Sequence, residues 1–256
     1  MKPTFNRLRI ADIRQETEET ISVSFDVPDG LKKDYSFLPG QYLTLMTTID
    51  GVEVRRSYSL CSAPHEKEWR VAIKQVEQGV FSTYANEKFE IGQEIDVMTP
   101  TGSFTTELGV NRSKSYLLFA AGSGITPIIS LAKSILENEK ESTVSLFYGN
   151  KSFSTIIFRE ELEALKNENL DRFRLIHILS RENPGSKIQQ GRIDAEKCEE
   201  LKAFLAFEKE HTEDVEAFVC GPEEMILSVK ESMLEMGVPE KQVHFELFGT
   251  VAKKAQ

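Results

Sequence analysis

The sequence predicts two domains of different class: an antiparallel β-barrel of Greek-key type over residues 1–110, followed by a parallel-sheet α/β domain over residues 111–256. Three observations predict it. As far as Leu108 the chain reads as short alternating strands between Gly, Pro and Asp turns, with a single helix among them. From Ser115 onward, apolar strands alternate with amphipathic helices, the pattern of a doubly wound sheet. The change falls at the polar stretch Asn111-Arg112-Ser113-Lys114, which puts the boundary near residue 110.

The strands expected in the first domain are Phe5–Ile13, Thr20–Val27, Gln41–Thr47, Val52–Leu60, Trp69–Val76, Glu94–Met98 and a short piece at Ser103–Phe104. Pro28-Asp29-Gly30, Pro39-Gly40, Asp50-Gly51 and Pro100-Thr101-Gly102 supply turn chemistry between them. Asp50-Gly51 between two alternating runs is a strong hairpin signal. Short strands at this spacing close, or nearly close, into a barrel. The helix starts at Gly79-Val80-Phe81-Ser82-Thr83, where Ser82 or Thr83 can cap it and Gly79 lets the backbone approach whatever lies at its start. A helix N-terminus attracts anions, although a plain capped helix behind a glycine turn has the same sequence pattern.

In the second domain Ser115–Ala121 is a nearly continuous apolar strand. After it come Gly122-Ser123-Gly124-Ile125-Thr126-Pro127 and a helix whose Ile128, Leu131, Ala132, Ile135 and Leu136 form one stripe. Pro127 suits the first helical position. Strands at Thr143–Tyr148, Arg174–Leu179, Val215–Cys220 and Val243–Phe248 then alternate with helices near Arg159–Lys166, Ala195–Phe207 and Pro222–Met236. The tail Val251–Gln256 is expected to lack regular structure.

Composition narrows the function classes. With 40% hydrophobic and 28% charged residues the chain is globular in character. No apolar run approaches the ~18 residues of a membrane helix, and the N-terminus has no apolar signal core, so the cytoplasm is the expected location. A net charge of −10 argues against nucleic acid or an anionic membrane as partner. Cys61, Cys198 and Cys220 form no CxxC pair, and His65, His177, His211 and His244 lack ligand spacing, so no metal site is expected.

Candidate site residues fall into six groups. In Val52–Leu60, Arg56 and Tyr58 should project from one face roughly 7 Å apart. A cation and a flat ring so placed can hold a ligand that is anionic at one end and aromatic at the other, such as FAD; an edge strand with an exposed arginine reads the same way. Gly79, Phe81, Ser82 and Thr83 form the anion-attracting helix start. Gly122, Gly124 and Thr126 occupy the strand-to-helix junction that cradles phosphate in dinucleotide folds, with Pro127 in place of the third fingerprint glycine. Cys220, Gly221 and Pro222 end a strand of the same sheet, where ligands of open α/β sheets bind; a small buried residue at a strand end is the alternative for Cys220. Ser180, Arg181 and Lys187 follow another strand and suit the 2′-phosphate that separates NADP from NAD, although solvated surface charge fits them equally. On the last strand, Glu246 and Phe248 share a face opposite Val243, Phe245 and Leu247.

Taken in this order, the motifs resemble those of the ferredoxin–NADP⁺ reductase superfamily over nearly the whole chain. Its RxYS, GxxS, GxGxxP and CGP motifs stand at Arg56–Ser59, Gly79–Ser82, Gly122–Pro127 and Cys220–Pro222. The stretches FLPGQYLTL, RRSYSLCSAP, LLFAAGSGITPIISL, FYGNKS, FREEL and GRID are most similar to oxygenase reductases of the phenylacetyl-CoA epoxidase type. The resemblance implies that Arg56 binds the FAD pyrophosphate, Tyr58 stacks on the flavin and Ser59 hydrogen-bonds near flavin N5. It implies that Gly79 to Thr83 lie under the pyrophosphate, that Gly124 and Thr126 border the nicotinamide–flavin contact, and that Cys220 lies against nicotinamide C4. Glu246 corresponds to a glutamate near the flavin, and Phe248 to a terminal tyrosine covering the ring. Ser59 alternates away from Tyr58, so its implied role requires a bend in the strand.

The activity implied is hydride transfer from NADPH (or NADH) to FAD, then single-electron delivery to a 2Fe–2S ferredoxin, fused or separate, that serves an oxygenase. Epoxidase reductases carry a 2Fe–2S domain after this position, and its cysteine cluster is not in this sequence. A stand-alone flavin reductase or diaphorase and a non-catalytic nucleotide-binding subunit are the alternatives.

Overall fold

The computed structural model describes residues 4–202, 205 and 209–248. The expected tail Val251–Gln256 and part of the expected helix Ala195–Phe207 lie outside these residues. The first unit is one six-stranded sheet of β1 (Phe5–Thr17), β2 (Thr20–Asp26), β3 (Tyr42–Ile49), β4 (Val52–Ser59), β5 (Trp69–Lys74) and β6 (Glu94–Met98). Its order is β4-β3-β6-β1-β2-β5 and its pairings are antiparallel. The run β6-β1-β2-β5, in which a later strand returns beside the first, is a Greek key. The sheet closes on itself where Leu60 bridges Val71 and the Cys61 N–H donates to the Arg70 carbonyl (2.9 Å).

Alternation makes this barrel. Leu8, Ile10, Val23, Leu43, Leu45, Val71, Ile73 and Val97 point inward and are buried, and helix α1 (Val80–Lys88) plugs the interior with Phe81. Asp50 and Gly51 both take positive φ (50° and 78°), the backbone of the tight hairpin that their sequence signals. The expected strand Ser103–Phe104 is absent: only Thr101 bridges to Tyr42, and Phe104 leaves the barrel to pack in the core of the second unit. Ser82 and Thr83 do not cap α1 either. Gly79 is the N-cap, and Ser82 instead accepts the Val76 N–H and donates to the Gly79 carbonyl.

The second unit is a five-stranded parallel sheet of β7 (Ser115–Ala121), β8 (Thr143–Asn150), β9 (Phe173–Leu179), β10 (Val215–Gly221) and β11 (Val243–Leu247), in the order β11-β10-β7-β8-β9. Helices α2 (Ile125–Asn138) and α3 (Arg159–Glu168) cover one face, and α4 (Ala195–Lys202) and α5 (Glu223–Glu235) the other. Apolar side chains on both faces of β7 explain its unbroken hydrophobic run: Tyr116, Leu118 and Ala120 face α2, and Leu117 and Phe119 face α5. Pro127 is the third residue of α2, not the first, because Gly122–Gly124 already winds as a short 3-10 turn. Pro222 is the N-cap of α5 and not its first residue. The core on the α2 side also takes in Cys61, Ala72 and Phe104, so the hydrophobic interior runs continuously from one unit to the other.

Candidate active site

In the parallel sheet the chain runs from β7 outward to β8 and β9, then crosses back to β10 and β11 on the other side. Direction therefore reverses between β7 and β10, and loops leaving the carboxyl ends of these strands diverge to leave a crevice. The Gly122–Gly124 turn and Pro222 stand at its lip. Gly122 needs the left-handed region (φ +53°) to turn from strand into helix, and the Tyr148 hydroxyl holds its carbonyl at 3.0 Å. Gly124 serves packing: a Cβ there would lie 2.1 Å from the Cys220 carbonyl oxygen. Gly221 is less confined, since the atom 2.5 Å from an added Cβ is the flexible end of the Met225 side chain. Neither α1 nor α5 has a side-chain cap, so N–H groups of their first turns stay open toward an anion, whereas at α2 the Ile125 N–H already donates to the carbonyls of Gly122 and Ser123. Thr126 is buried and its hydroxyl donates to the Ser123 carbonyl (3.0 Å), which closes the first turn of α2.

The barrel supplies the opposing wall. Strand register pairs Arg56 with Leu45 and Tyr58 with Leu43, so both residues lie on the face that Leu43 and Leu45 turn to the barrel interior. Tyr58 is half-buried against Phe81, with ring centroids 5.8 Å apart, and burial pushes its phenol above the usual range. Arg56 is exposed and donates to the Arg55 carbonyl (2.7 Å). Ser59 lies on the opposite face, as alternation requires, and is only 3% exposed because the second unit covers it.

That cover is Glu246. The Ser59 hydroxyl donates to Glu246 Oε2 at 3.4 Å, a long contact joining residues from the two units. Glu246 pairs with Cys220 in the parallel register of β10 and β11, and Cys220 is fully buried. Burial raises the Glu246 carboxyl to about 7 against the opposing pull of the Ser59 bond. Burial, and then the nearby Glu246, push the Cys220 thiol well up, so it stays protonated. The fold thus assembles Ser59, Cys220 and Glu246 beside the Gly122–Gly124 turn, with Ser59 on the face of β4 opposite Tyr58.

The other expected residues are less concentrated. Ser180 and Arg181 follow β9 with exposed side chains, their backbone N–H groups held by the carbonyls of Asn150 (2.9 Å) and Lys151 (2.8 Å). Lys187 turns instead to Glu200 on α4, at 3.1 Å. Phe248 is 41% exposed just beyond β11. On β11 itself the apolar face is the open one: Phe245 and Leu247 are exposed because β11 ends the sheet, with Lys230 lying over the Phe245 ring.

Sequence reasoning missed the group that anchors β11. Glu216 on β10 accepts hydrogen bonds from Thr106 (2.9 Å) and Lys114 (2.5 Å), and His244 Nε2 lies 3.1 Å away. Burial alone would raise its carboxyl, but these partners outweigh it and hold the group at about 2. His244 also stacks on Phe218 (4.4 Å), which meets Phe104 edge-on (5.3 Å). Tyr148 was missed as well, although its place in FYGNKS at the end of a buried strand could have flagged it. Among the described residues no group of three or more His, Cys, Asp or Glu could hold a metal ion, and no helix is long and apolar enough to cross a membrane.

The donor set fits a dinucleotide pair: open helix starts at α1 and α5 for phosphates, a half-buried ring beside an exposed cation, and a close-packed glycine junction. Comparison with known proteins agrees. Residues 7–106 match the oxidoreductase FAD-binding domain and residues 118–231 the oxidoreductase NAD-binding domain. Over 247 residues the chain is 39% identical to a component of the 1,2-phenylacetyl-CoA epoxidase of Escherichia coli, covering 96% of this chain and 68% of that protein. It is 33% identical to the ferredoxin reductase component of 3-ketosteroid-9-alpha-monooxygenase of Rhodococcus rhodochrous, covering 96% and 65%. The chain thus spans about two thirds of the length of these relatives. Among solved structures, a ferredoxin NADP⁺ reductase from Neisseria gonorrhoeae with bound FAD and NADP shares the fold at a TM-score of 0.77 and 22% identity, over 95% of this chain and 98% of that one.

Proposed function

The chain belongs to the ferredoxin–NADP⁺ reductase family of oxidoreductases, in which an FAD-binding barrel precedes an NAD-binding domain, and on that premise we propose that it oxidises NADPH and passes the electrons singly to a 2Fe–2S ferredoxin, fused or separate, serving an oxygenase. The observation that carries this reading is the meeting of Ser59 with Glu246 and Cys220 across the two units, at the mouth of the switch-point crevice. When bound, FAD supplies the step from hydride to single electrons, and the protein supplies position and electrostatics.

The residues divide that work as follows. Arg56 and the start of α1 between Gly79 and Thr83 hold the FAD pyrophosphate, Arg56 by charge and Phe81 and Ser82 by N–H donation, since the Gly79 and Thr83 N–H groups are held by the Val76 and Gly79 carbonyls. Tyr58 packs on the flavin face, and Phe248, at the open edge, covers part of the site. The Gly122–Gly124 turn, Thr126, Gly221 and Pro222 receive the nicotinamide dinucleotide. Ser180 and Arg181 favour a 2′-phosphate, and hence NADPH over NADH; Lys187 contributes less because Glu200 holds it. Buried Cys220 excludes water from the reacting face. Glu246, held at about 7, can keep or release a proton at Oε2 near neutral pH and relay it through the Ser59 hydroxyl. A division into 1–110 and 111–256 is supported by the gap between the matched regions, which end at 106 and resume at 118. The names of the epoxidase and monooxygenase relatives support an oxygenase as terminal partner.

Purified protein should be yellow, bind FAD, bleach on mixing with NADPH and reduce a 2Fe–2S ferredoxin under oxygen-free conditions. A chain that cannot be loaded with FAD would sink the reading. Bleaching followed by release of free reduced flavin, with no gain from ferredoxin, would mark a stand-alone flavin reductase instead; binding without bleaching would mark a non-catalytic subunit.

A further inference from the structure

Thr126, Ser130 and Lys133 lie at i, i+4 and i+7 along α2, and so share one face of that helix. Thr126 is at the crevice; the other two reach the barrel. Ser130 Oγ donates to the Ser62 carbonyl at 2.7 Å. Lys133, only 9% exposed, donates to both Glu66 carboxylate oxygens (3.1 Å each) and to the Cys61 carbonyl (3.4 Å), and its ammonium also meets Glu161 of α3. Burial alone would lower the Lys133 ammonium, but Glu161 and then Glu66 outweigh it and keep it charged.

The barrel segment receiving these bonds is itself tied down. The Ala63 N–H donates to Glu66 Oε2 (2.6 Å), the Ser62 hydroxyl donates to the Glu68 carbonyl (2.7 Å), and the Cys61 N–H is held by Arg70 of β5. Segment 60–66 directly continues β4, whose last residues are Tyr58 and Ser59. A stiff connection therefore runs from Ser59 through 60–66 and across to Ser130 and Lys133. From there it runs back along α2 to Thr126, about 6 Å from Ser130 and about 10 Å from Lys133.

We infer that Lys133, with Ser130 and Glu66, is a positioning residue: it staples α2 to the 60–66 segment and so sets the separation between the barrel wall and the crevice wall of the active site. The inference rests on the proposed function, since the separation matters because two ring systems must meet at reactive distance and small errors there are costly to rate. The staple touches neither ring and acts only through Ser59 and Thr126.

The test uses Lys133→Met, Glu66→Gln and the two combined. Glu66→Gln keeps the acceptor for the Ala63 N–H and is the milder lesion. In stopped-flow mixing with NADPH, the limiting rate of flavin bleaching should fall at least about tenfold in each variant, with the half-saturating NADPH concentration changed less than about threefold. The double variant should lose no more than the worse single one, since both break the same staple. Independently of any cofactor, hydrogen exchange in the FAD-free protein should quicken in 60–66 and 123–133 while β8 stays protected. A limiting rate within twofold of wild type, a loss that merely tracks lost FAD, or exchange that quickens throughout the chain would overturn the inference. Failure of the wild type to bleach would overturn the proposed function and this inference with it; normal bleaching of the wild type separates the two.

Discussion

Glu246 keeps its proton to about 7 in the folded chain, against ~4.3 for an unperturbed glutamate. Between those pH values the native state binds more protons than the unfolded one, so stability falls as pH rises through the interval and no penalty remains below it. The full shift corresponds to roughly 3.6 kcal/mol; with solvent screening at this partly exposed site, Glu246→Gln should be more stable than wild type by about 2 kcal/mol at pH 8, with the difference vanishing near pH 4. Urea unfolding of both proteins across that range checks the sign. Arg181 and Lys187 separate in a similar way. Arg181→Ala should lower kcat/KM for NADPH by at least about tenfold and leave NADH unchanged, because a charge-assisted phosphate contact is lost. Lys187→Ala should move neither by more than about twofold, since Glu200 already engages that ammonium at the surface.

Helix starts carry the element-scale lesson. A cap was expected at Ser82 or Thr83 and helix starts at Pro127 and Pro222, yet the helices begin at Val80, Ile125 and Glu223. The expected and observed starts differ because each strand-to-helix turn is shaped by its neighbours: Tyr148 under Gly122, and the Cys220 carbonyl against Gly124. The two glycines should respond differently to substitution. Gly122→Ala meets open space and only a left-handed backbone, a cost of about 1 kcal/mol. Gly124→Ala drives a methyl to 2.1 Å from backbone oxygen, and should destabilise by about 3 kcal/mol or shift the α2 start. Urea midpoints of the two variants distinguish strain of one residue from a clash between elements. Phe245 and Leu247 show the same limit: alternation puts them together on the face expected to be inward, but the sheet ends at β11 and leaves that face open.

At the scale of the whole molecule, Glu216 ties the connection between the units to the far edge of the sheet, since Thr106 and Lys114 flank the junction and His244 lies on β11. Its carboxyl, held at about 2, is depressed below the unfolded value, so its stabilising contribution is complete above ~4.3 and is lost as pH falls through 2. Glu216→Gln should cost about 2 kcal/mol at pH 7 and flatten acid unfolding between pH 4 and 2, because the variant has no proton to take up. Acid titration followed by circular dichroism tests this. The Lys133 staple acts at the same scale on the opposite side of the interface, and the continuous core through Cys61, Ala72 and Phe104 lies between the two.

The amino-acid sequence by itself determined the two domain classes, the hairpin at Asp50-Gly51, the face shared by Arg56 and Tyr58, and the strand-to-helix glycine turn at Gly122. Each is a local periodicity or a local backbone need, and local rules are written in consecutive residues. Tertiary structure alone decided that Ser59 meets Glu246, that Lys133 crosses to Glu66, that Glu216 gathers Thr106, Lys114 and His244, and that Lys187 turns to Glu200. The first three of these contacts join residues from 28 to 187 positions apart. The Ser59 and Lys133 contacts depend on how the two units pack, and those of Glu216 also on strand order within the second sheet; no local spacing encodes either.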